Sequence, residues 1–305
     1  MIAMVSEMAV RSGYVAFLDA LRACGFEGEI APDYANRTVL ATDNSISQRL
    51  PQAAVFPKHA EDLERLAKLA AELPHRDIVL TPRGGGTGTN GQSLTDGIVV
   101  DVSRHMNQIL EIDVEARRVR VQAGVVKDQL NAALKPHGLF FAPELSTSNR
   151  ATIGGMISTD ASGQGSCEYG KTRDHVLELD TILLGGQHLH SRPLSADEEQ
   201  QAVAQSGILG QVHTTAAEII DQQRGLIEAK FPPLNRCLTG YDLAHLREAK
   251  GQLNLNSLLC GSEGSLGFLN EAVLNVLPIP KHATLVNVRY ASFMDALRDA
   301  KALMT

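Results

Sequence analysis

Residues 81–91 read TPRGGGTGTNG and follow the apolar run DIVL, which has the look of a strand. From Gly86 the spacing matches the dinucleotide fingerprint G-x-G-x-x-G, but that fingerprint must open a helix. Here a second apolar run, GIVVDV at residues 97–102, begins only a few residues later and itself reads as a strand. The Asp or Glu expected about 20 residues on, at the end of a second parallel strand, to hold the ribose has no convincing candidate. Gly86 and Gly91 also bracket four residues as a P-loop does, yet Gln92-Ser93 follows where that loop needs lysine. Two readings remain for a glycine loop between two strands. It is an anion-binding nest, whose backbone N–H groups turn inward, or it is a ligand-free glycine-rich hairpin.

The surrounding chain is that of a folded protein. It has 305 residues, 44% of them hydrophobic, enough to bury a core as one large domain or two. Its net charge of -7 argues against a broad nucleic-acid or anionic-membrane footprint. With no basic-then-apolar leader and no run of 18 apolar residues, no transmembrane segment is expected and the location expected is cytoplasmic. Cys24, Cys167, Cys237 and Cys260 never form C-x-x-C, so their spacing encodes no metal site and no iron-sulfur cluster, and reduced thiols are expected.

Working outward, residues 1–45 read as a helical extension, AAVFP as a short strand, and HAEDLERLAKLAAEL as a helix with Leu63, Leu66, Ala67, Ala70 and Leu73 on one face. RRVRVQAG alternates as a strand does, and VVKDQLNAALKPHG is a helix stopped at Gly138. A second glycine-rich segment, RATIGGMISTDASGQGSCEYGKTRDH, precedes the strand VLELDTILL; such a density of small residues lets a large flat ligand approach the main chain, or marks a tightly packed turn. Residues 188–258 are more polar, with helical patterns, and read as an insertion. A third glycine segment, GSEGSLGFLNEAVLNVLPIP, ends in a strand; then ATLVNVRYASFMDALRDAKALMT reads as strand and helix, with Phe293, Ala296, Leu297, Ala300 and Leu303 on one face. One βα unit cannot cover its own apolar surface, so a fragment of a longer protein is expected.

In order and spacing, PRGGGTGTNG, PELSTSNRATIGGMISTDASGQGSCEYGKTRDHVLELDTILLGG, TGYDL and GSEGSLGFLNEAVLNVLPIP resemble the flavin-binding domain of the vanillyl-alcohol oxidase and p-cresol methylhydroxylase (PCMH) superfamily, over about residues 46–280. Within it they are most similar to the FAD-linked D-2-hydroxy acid dehydrogenases of the D-lactate and D-2-hydroxyglutarate group, above all the long bacterial members with a C-terminal iron-sulfur domain. The resemblance implies an α+β, two-subdomain PCMH-type FAD-binding fold over 46–280, with 188–258 as a helical insertion, and 281–305 as the first βα unit of a truncated α+β substrate-cap domain.

By the family motifs, Gly84, Gly85, Gly86, Thr87 and Gly88 are expected to wrap the FAD pyrophosphate, Thr152, Ile153, Gly154, Gly155, Ser158 and Ala161 to line the diphosphate and isoalloxazine, and Glu263 and Gly264 to reach the cofactor from the third segment. Relatives with covalent flavin often carry a histidine in the first loop; Thr87 and Asn90 stand here, so noncovalent FAD is expected. His175 and His105 are expected to be structural or superficial, and Tyr241 and Arg236 to pack rather than to face the flavin. The resemblance implies a 2-hydroxy acid as substrate, whose α-hydrogen passes as hydride to flavin N5 while a base takes the hydroxyl proton. The base and any metal ligands belong to the missing cap, so no catalytic residue is assigned, and an iron-sulfur cluster is expected only with a further C-terminal domain. The electron acceptor is not encoded. Two other readings stay open: a noncatalytic FAD-binding subunit needing a partner, and a nucleotide-binding regulatory module.

Overall fold

The computed structural model describes residues 9–232 and 240–303. Helix α1 (Ser12–Ala23), strand β1 (Glu29–Ala31), helix α2 (Tyr34–Val39), β2 (Ala53–Phe56), α3 (Ala60–Ala71), β3 (Leu80–Arg83) and β4 (Ile98–Asp101) build a four-stranded sheet ordered β1-β2-β4-β3. Both β2 and β4 are buried along their whole length, the mark of parallel strands covered on both faces. The residues before 46 belong to this unit. Strand β1 pairs antiparallel with β2, and Phe17, Leu18 and Leu21 of α1 share a core with Leu63, Leu66 and Ala67 of α3.

Strands β3 and β4 are parallel neighbours. The loop between them is therefore no hairpin. It is a crossover from one end of the sheet to the other, a connection that usually contains a helix. Residues 84–97 make it with none, using turns and bends.

The second layer comprises β5 (Ile109–Asp113), β6 (Arg118–Gln122), α4 (Lys127–Leu134), β7 (Leu139–Phe140), α5 (Ile153–Ser158), α6 (Ser166–Tyr169), β8 (Val176–Ile182), β9 (His188–Ser191), α7 (Ala196–Val203), α8 (Gly207–Lys230), α9 (Asn256–Leu259), β10 (Phe268–Asn275) and β11 (Leu277–Pro278). An antiparallel sheet ordered β5-β6-β10-β8-β9 carries it, with β7 and β11 as a separate pair. Strand β10 buries every second residue, so one of its faces meets the core. The turn after α4 closes at Gly138 in the left-handed region, φ 68°, as its glycine stop requires. Strand β9, at the start of the expected insertion, is an integral edge of this sheet.

Residues 283–290 were expected to form a strand and do not. Leu285 and Val286 are exposed and find no partner strand among the described residues, and a strand leaves its N–H and C=O groups unmet without one. The helix expected after them forms as α10 (Phe293–Leu303), with none of its described residues buried.

Candidate functional site

The three glycine segments, far apart in sequence, meet. Gly84 lies against Thr152, and Gly85 against the Arg150 carbonyl, so closely that a Cβ on either would overlap those atoms. Gly264, at φ 73°, packs on the ring of Pro82, while the Glu263 N–H donates to the Ser158 carbonyl at 2.8 Å. The first segment thus touches the second and third, and the third touches the second. Together they wall a cavity of about 410 Å³, a size usual for small-molecule sites.

Gly84, Gly85, Gly86, Thr87, Gly88, Thr152, Gly154, Gly155, Ser158, Ala161, Glu263 and Gly264 all line it. Ile153 does not. It is fully buried in the core of the second layer, with its N–H on the Val125 carbonyl, and acts on the cavity only by seating α5.

The wall suits a large anionic, aromatic ligand. Among the described residues, the backbone N–H groups of Gly84, Gly85, Gly86, Thr87 and Gly88 have no protein acceptor. The Ser162 hydroxyl oxygen is buried on the same wall, also without a protein partner. Residues 84–88 are half-buried, so their N–H groups are open to a ligand or water, while the buried Ser162 hydroxyl costs free energy unless one of these meets it. Val102, Leu145, Met156 and Phe268 add apolar surface. Thr152 caps α5, accepting from the Gly155 N–H at 3.2 Å.

Sequence reasoning missed Arg83, which lines the cavity and organises the loop from behind. Its Nη2 donates to the Thr42 carbonyl at 2.8 Å and its Nη1 to Leu40 O and Ser93 Oγ, both at 3.4 Å. Burial lowers its pKa, while Asp101 and Asp43 raise it. The Asn44 N–H donates to the Gly86 carbonyl at 3.1 Å. The chain before residue 46 is thereby strapped across the outside of the glycine loop.

Sequence reasoning also missed the charges behind the second segment. Asp160 lines the cavity in the left-handed region, φ 46°, and is 4% exposed. Its carboxylate accepts from Lys171 Nζ at 2.8 Å and from the Arg173 N–H at 3.0 Å. Lys171 is equally buried, and Arg173 pairs onward with Asp242, which holds His245 Nδ1 at 2.9 Å. The His245 pKa is lowered, first by partial desolvation of a ring that stays half exposed and then by the nearby Arg173 and Lys171 charges. Glu263 also has a positive φ, 53°, and non-glycine residues held there mark sites where the surroundings impose strain. The residue as a whole is exposed, yet partial desolvation of its carboxyl raises that group's pKa, offset in part by a hydrogen bond from Gln92 just after the first segment.

The histidines lie elsewhere. His175 is buried against Phe141 with Nε2 on the Tyr169 carbonyl, 2.6 Å, and His105 pairs with Glu29 at the surface, 2.7 Å. The Tyr241 hydroxyl meets Ser265 Oγ at 2.8 Å beside the third segment without lining the cavity. Arg236 lies outside the described residues. Cys24, Cys167 and Cys260 are free, and burial raises the Cys260 thiol. Among the described residues no helix is long and apolar enough to cross a membrane.

The FAD binding domain family matches residues 51–192, which include the first two glycine segments. The chain is 70% identical to the D-2-hydroxyglutarate dehydrogenase of Pseudomonas putida over 304 residues, covering 100% of this chain and 30% of that protein. It is 53% identical over 285 residues to the enzyme of the same name from Escherichia coli, covering 93% and 28%. It is 29% identical over 235 residues to glycolate oxidase subunit GlcD of Bacillus subtilis, covering 77% and 38%. The chain therefore spans less than a third of the D-2-hydroxyglutarate dehydrogenases it matches. Among solved structures, alkyldihydroxyacetonephosphate synthase superposes with a TM-score of 0.64 at 21% identity, over 92% of this chain and 43% of that one, a likeness of fold. The cavity wall, the matched domain and these relatives agree on an FAD-binding fold, with residues 51–192 matched by the FAD binding domain family.

Proposed function

We propose that this chain is the FAD-binding portion of a flavin-dependent dehydrogenase that oxidises D-2-hydroxyglutarate. The observation that carries the proposal is the closure of one cavity by three glycine segments in a chain 70% identical to a D-2-hydroxyglutarate dehydrogenase. In this reading the N–H groups of residues 84–88 hold the pyrophosphate, Thr152, Gly154, Gly155, Ser158 and Ala161 line its path and the flavin ring, and Glu263 and Gly264 close the third side. Bound FAD supplies the hydride acceptor for the 2-hydroxy acid. The residues of this chain orient the cofactor, exclude water from one face and hold the loops against one another.

Attachment is noncovalent in this proposal. No histidine, cysteine or tyrosine is among the described residues that line the cavity, so no imidazole, thiol or phenol is at hand there to bond the flavin.

The test is the visible spectrum of the purified protein, repeated on the supernatant after acid precipitation. Release of FAD supports cofactor and attachment together. Bleaching of that flavin by D-2-hydroxyglutarate in the full-length protein, under anaerobic conditions, supports the substrate. A folded, colourless protein that does not take up FAD overturns the assignment, and a flavin that D-lactate reduces while D-2-hydroxyglutarate does not overturns the substrate.

A further inference from the structure

A group of side chains far from the proposed chemistry has the composition of a metal centre. Asp180 on β8 stands directly opposite His190 on β9, and His188 lies two residues earlier on the same strand, hence on the same face. His188 Nδ1 is 2.9 Å from Asp180 Oδ1, and His190 Nδ1 is 3.3 Å from that same oxygen. The three ligand atoms lie within 4.8 Å of one another. Two donors of one tetrahedral ion, each ~2.0–2.1 Å from it, stand about 3.3 Å apart.

The groups around these three side chains orient them. Strand β10 bulges between Leu269 and Glu271, leaving Asn270 as its extra residue. Asn270, 3% exposed, donates from Nδ2 to Asp180 Oδ2 at 2.6 Å and fixes the carboxylate, whose two oxygens both lie within 3.0 Å of His188 Nδ1 while Oδ1 also faces His190. On the other side Glu64 of α3 takes the Nε2–H of His188 at 2.8 Å. With Glu64 holding Nε2, Nδ1 is the nitrogen left for an ion, which would displace the proton now shared between Nδ1 and the Asp180 carboxylate. Carboxylate to histidine to metal is the arrangement by which proteins orient a ligating imidazole. His190, with its side chain 75% exposed, gives an ion a way in.

We infer that Asp180, His188 and His190 bind a divalent transition-metal ion of the zinc class, with Glu64 and Asn270 as outer-shell partners and water completing the coordination. Two imidazoles and one carboxylate suit zinc, and disfavour calcium and magnesium, which want oxygen. The site joins the helix covering the first sheet to the outer hairpin of the second, beside the hydrogen bond from Gly185 N–H to Ala67 O at 3.1 Å. Its role is to fasten the two layers whose junction forms the cavity. The cysteine-based reading of the sequence excluded a metal because it sought C-x-x-C and passed over the H-x-H of residues 188–190.

The test uses the full-length flavoprotein, dialysed against chelator, then against zinc, then buffer, with metal measured by plasma emission. The protein is expected to retain one more equivalent than its His190→Ala variant, whose exposed side chain can be removed without disturbing the core. Cobalt in place of zinc should give a d–d absorption in the red, beyond the flavin bands, in the parent protein and not in the variant. Glu64→Gln should weaken zinc at least tenfold while flavin content stays unchanged. Equal zinc retention by the parent and His190→Ala overturns the site and leaves a cluster of ion pairs, whatever the fate of the flavin assignment.

Discussion

Gly84 and Thr152 approach so closely that a methyl group on the glycine would occupy the place of the threonine hydroxyl, the same oxygen that caps α5. Gly84→Ala must therefore push the first loop and the α5 cap apart. FAD affinity is expected to fall at least tenfold, ~1.4 kcal/mol. Thr152→Ala alone should cost about 1 kcal/mol of stability through the lost cap. Because the two residues compete for one space, the double variant should lose less than the sum of the singles. Strictly additive losses, measured by flavin titration and urea unfolding, would contradict the contact.

Removing the Lys171 ammonium leaves Asp160 charged, buried and deprived of its nearest counter-ion. Lys171→Met is expected to cost about 3–5 kcal/mol, and the pair Asp160→Asn with Lys171→Met distinctly less, because a broken buried ion pair is worse than none. Urea unfolding of both variants decides it. A loss below about 1 kcal/mol for Lys171→Met would show that Arg173 alone satisfies the carboxylate.

Phe17 is fully buried against the first sheet's core, although it belongs to the segment that reads as an extension. Phe17→Ala should cost about 3–5 kcal/mol, as core aromatic truncations do. A variant within about 1 kcal/mol of the parent in thermal and urea unfolding would return residues 1–45 to the status of an appendage.

For Glu263, partial desolvation of the carboxyl raises its pKa from an ordinary value of 4.5, so the folded protein binds this proton somewhat more tightly than the unfolded chain does. Stability from this group accordingly grows as pH falls through the raised value and is complete below the unfolded one. In the FAD-free protein, Glu263→Gln should exceed the parent in Tm at pH 7, and the difference should shrink as pH is lowered toward 5. A difference that is constant across that range would show that the carboxyl does not titrate there.

Much of the site was legible because glycine chemistry is local. A run such as Gly84-Gly85-Gly86 admits few explanations, and its second and third counterparts carry their own strands with them. What failed to show was whatever depends on which distant segments meet. Nothing local to Arg83 says that its guanidinium will find the carbonyls of Leu40 and Thr42. Asp160 reads as an ordinary turn residue until Lys171 folds over it. Ile153 sits inside a cofactor motif, yet its side chain turns into the core, because even a short helix has a buried face as well as an open one. The expected strand over 283–290 met the converse difficulty: alternation shows that a segment can pair, while pairing itself needs a neighbour.

The helix-free crossover of residues 84–97 also bears on the order in which the molecule comes together. A crossover helix carries its own hydrogen bonds and can form early from local contacts, whereas this loop takes its shape from residues 40–44, 150–152 and 264. Those contacts span long stretches of chain and are formed late, since loop closure must come before they yield anything. The cavity is thus expected to take shape only after the two sheets it lies between. A ligand that fills it should act on the unfolding rate and leave the folding rate nearly untouched.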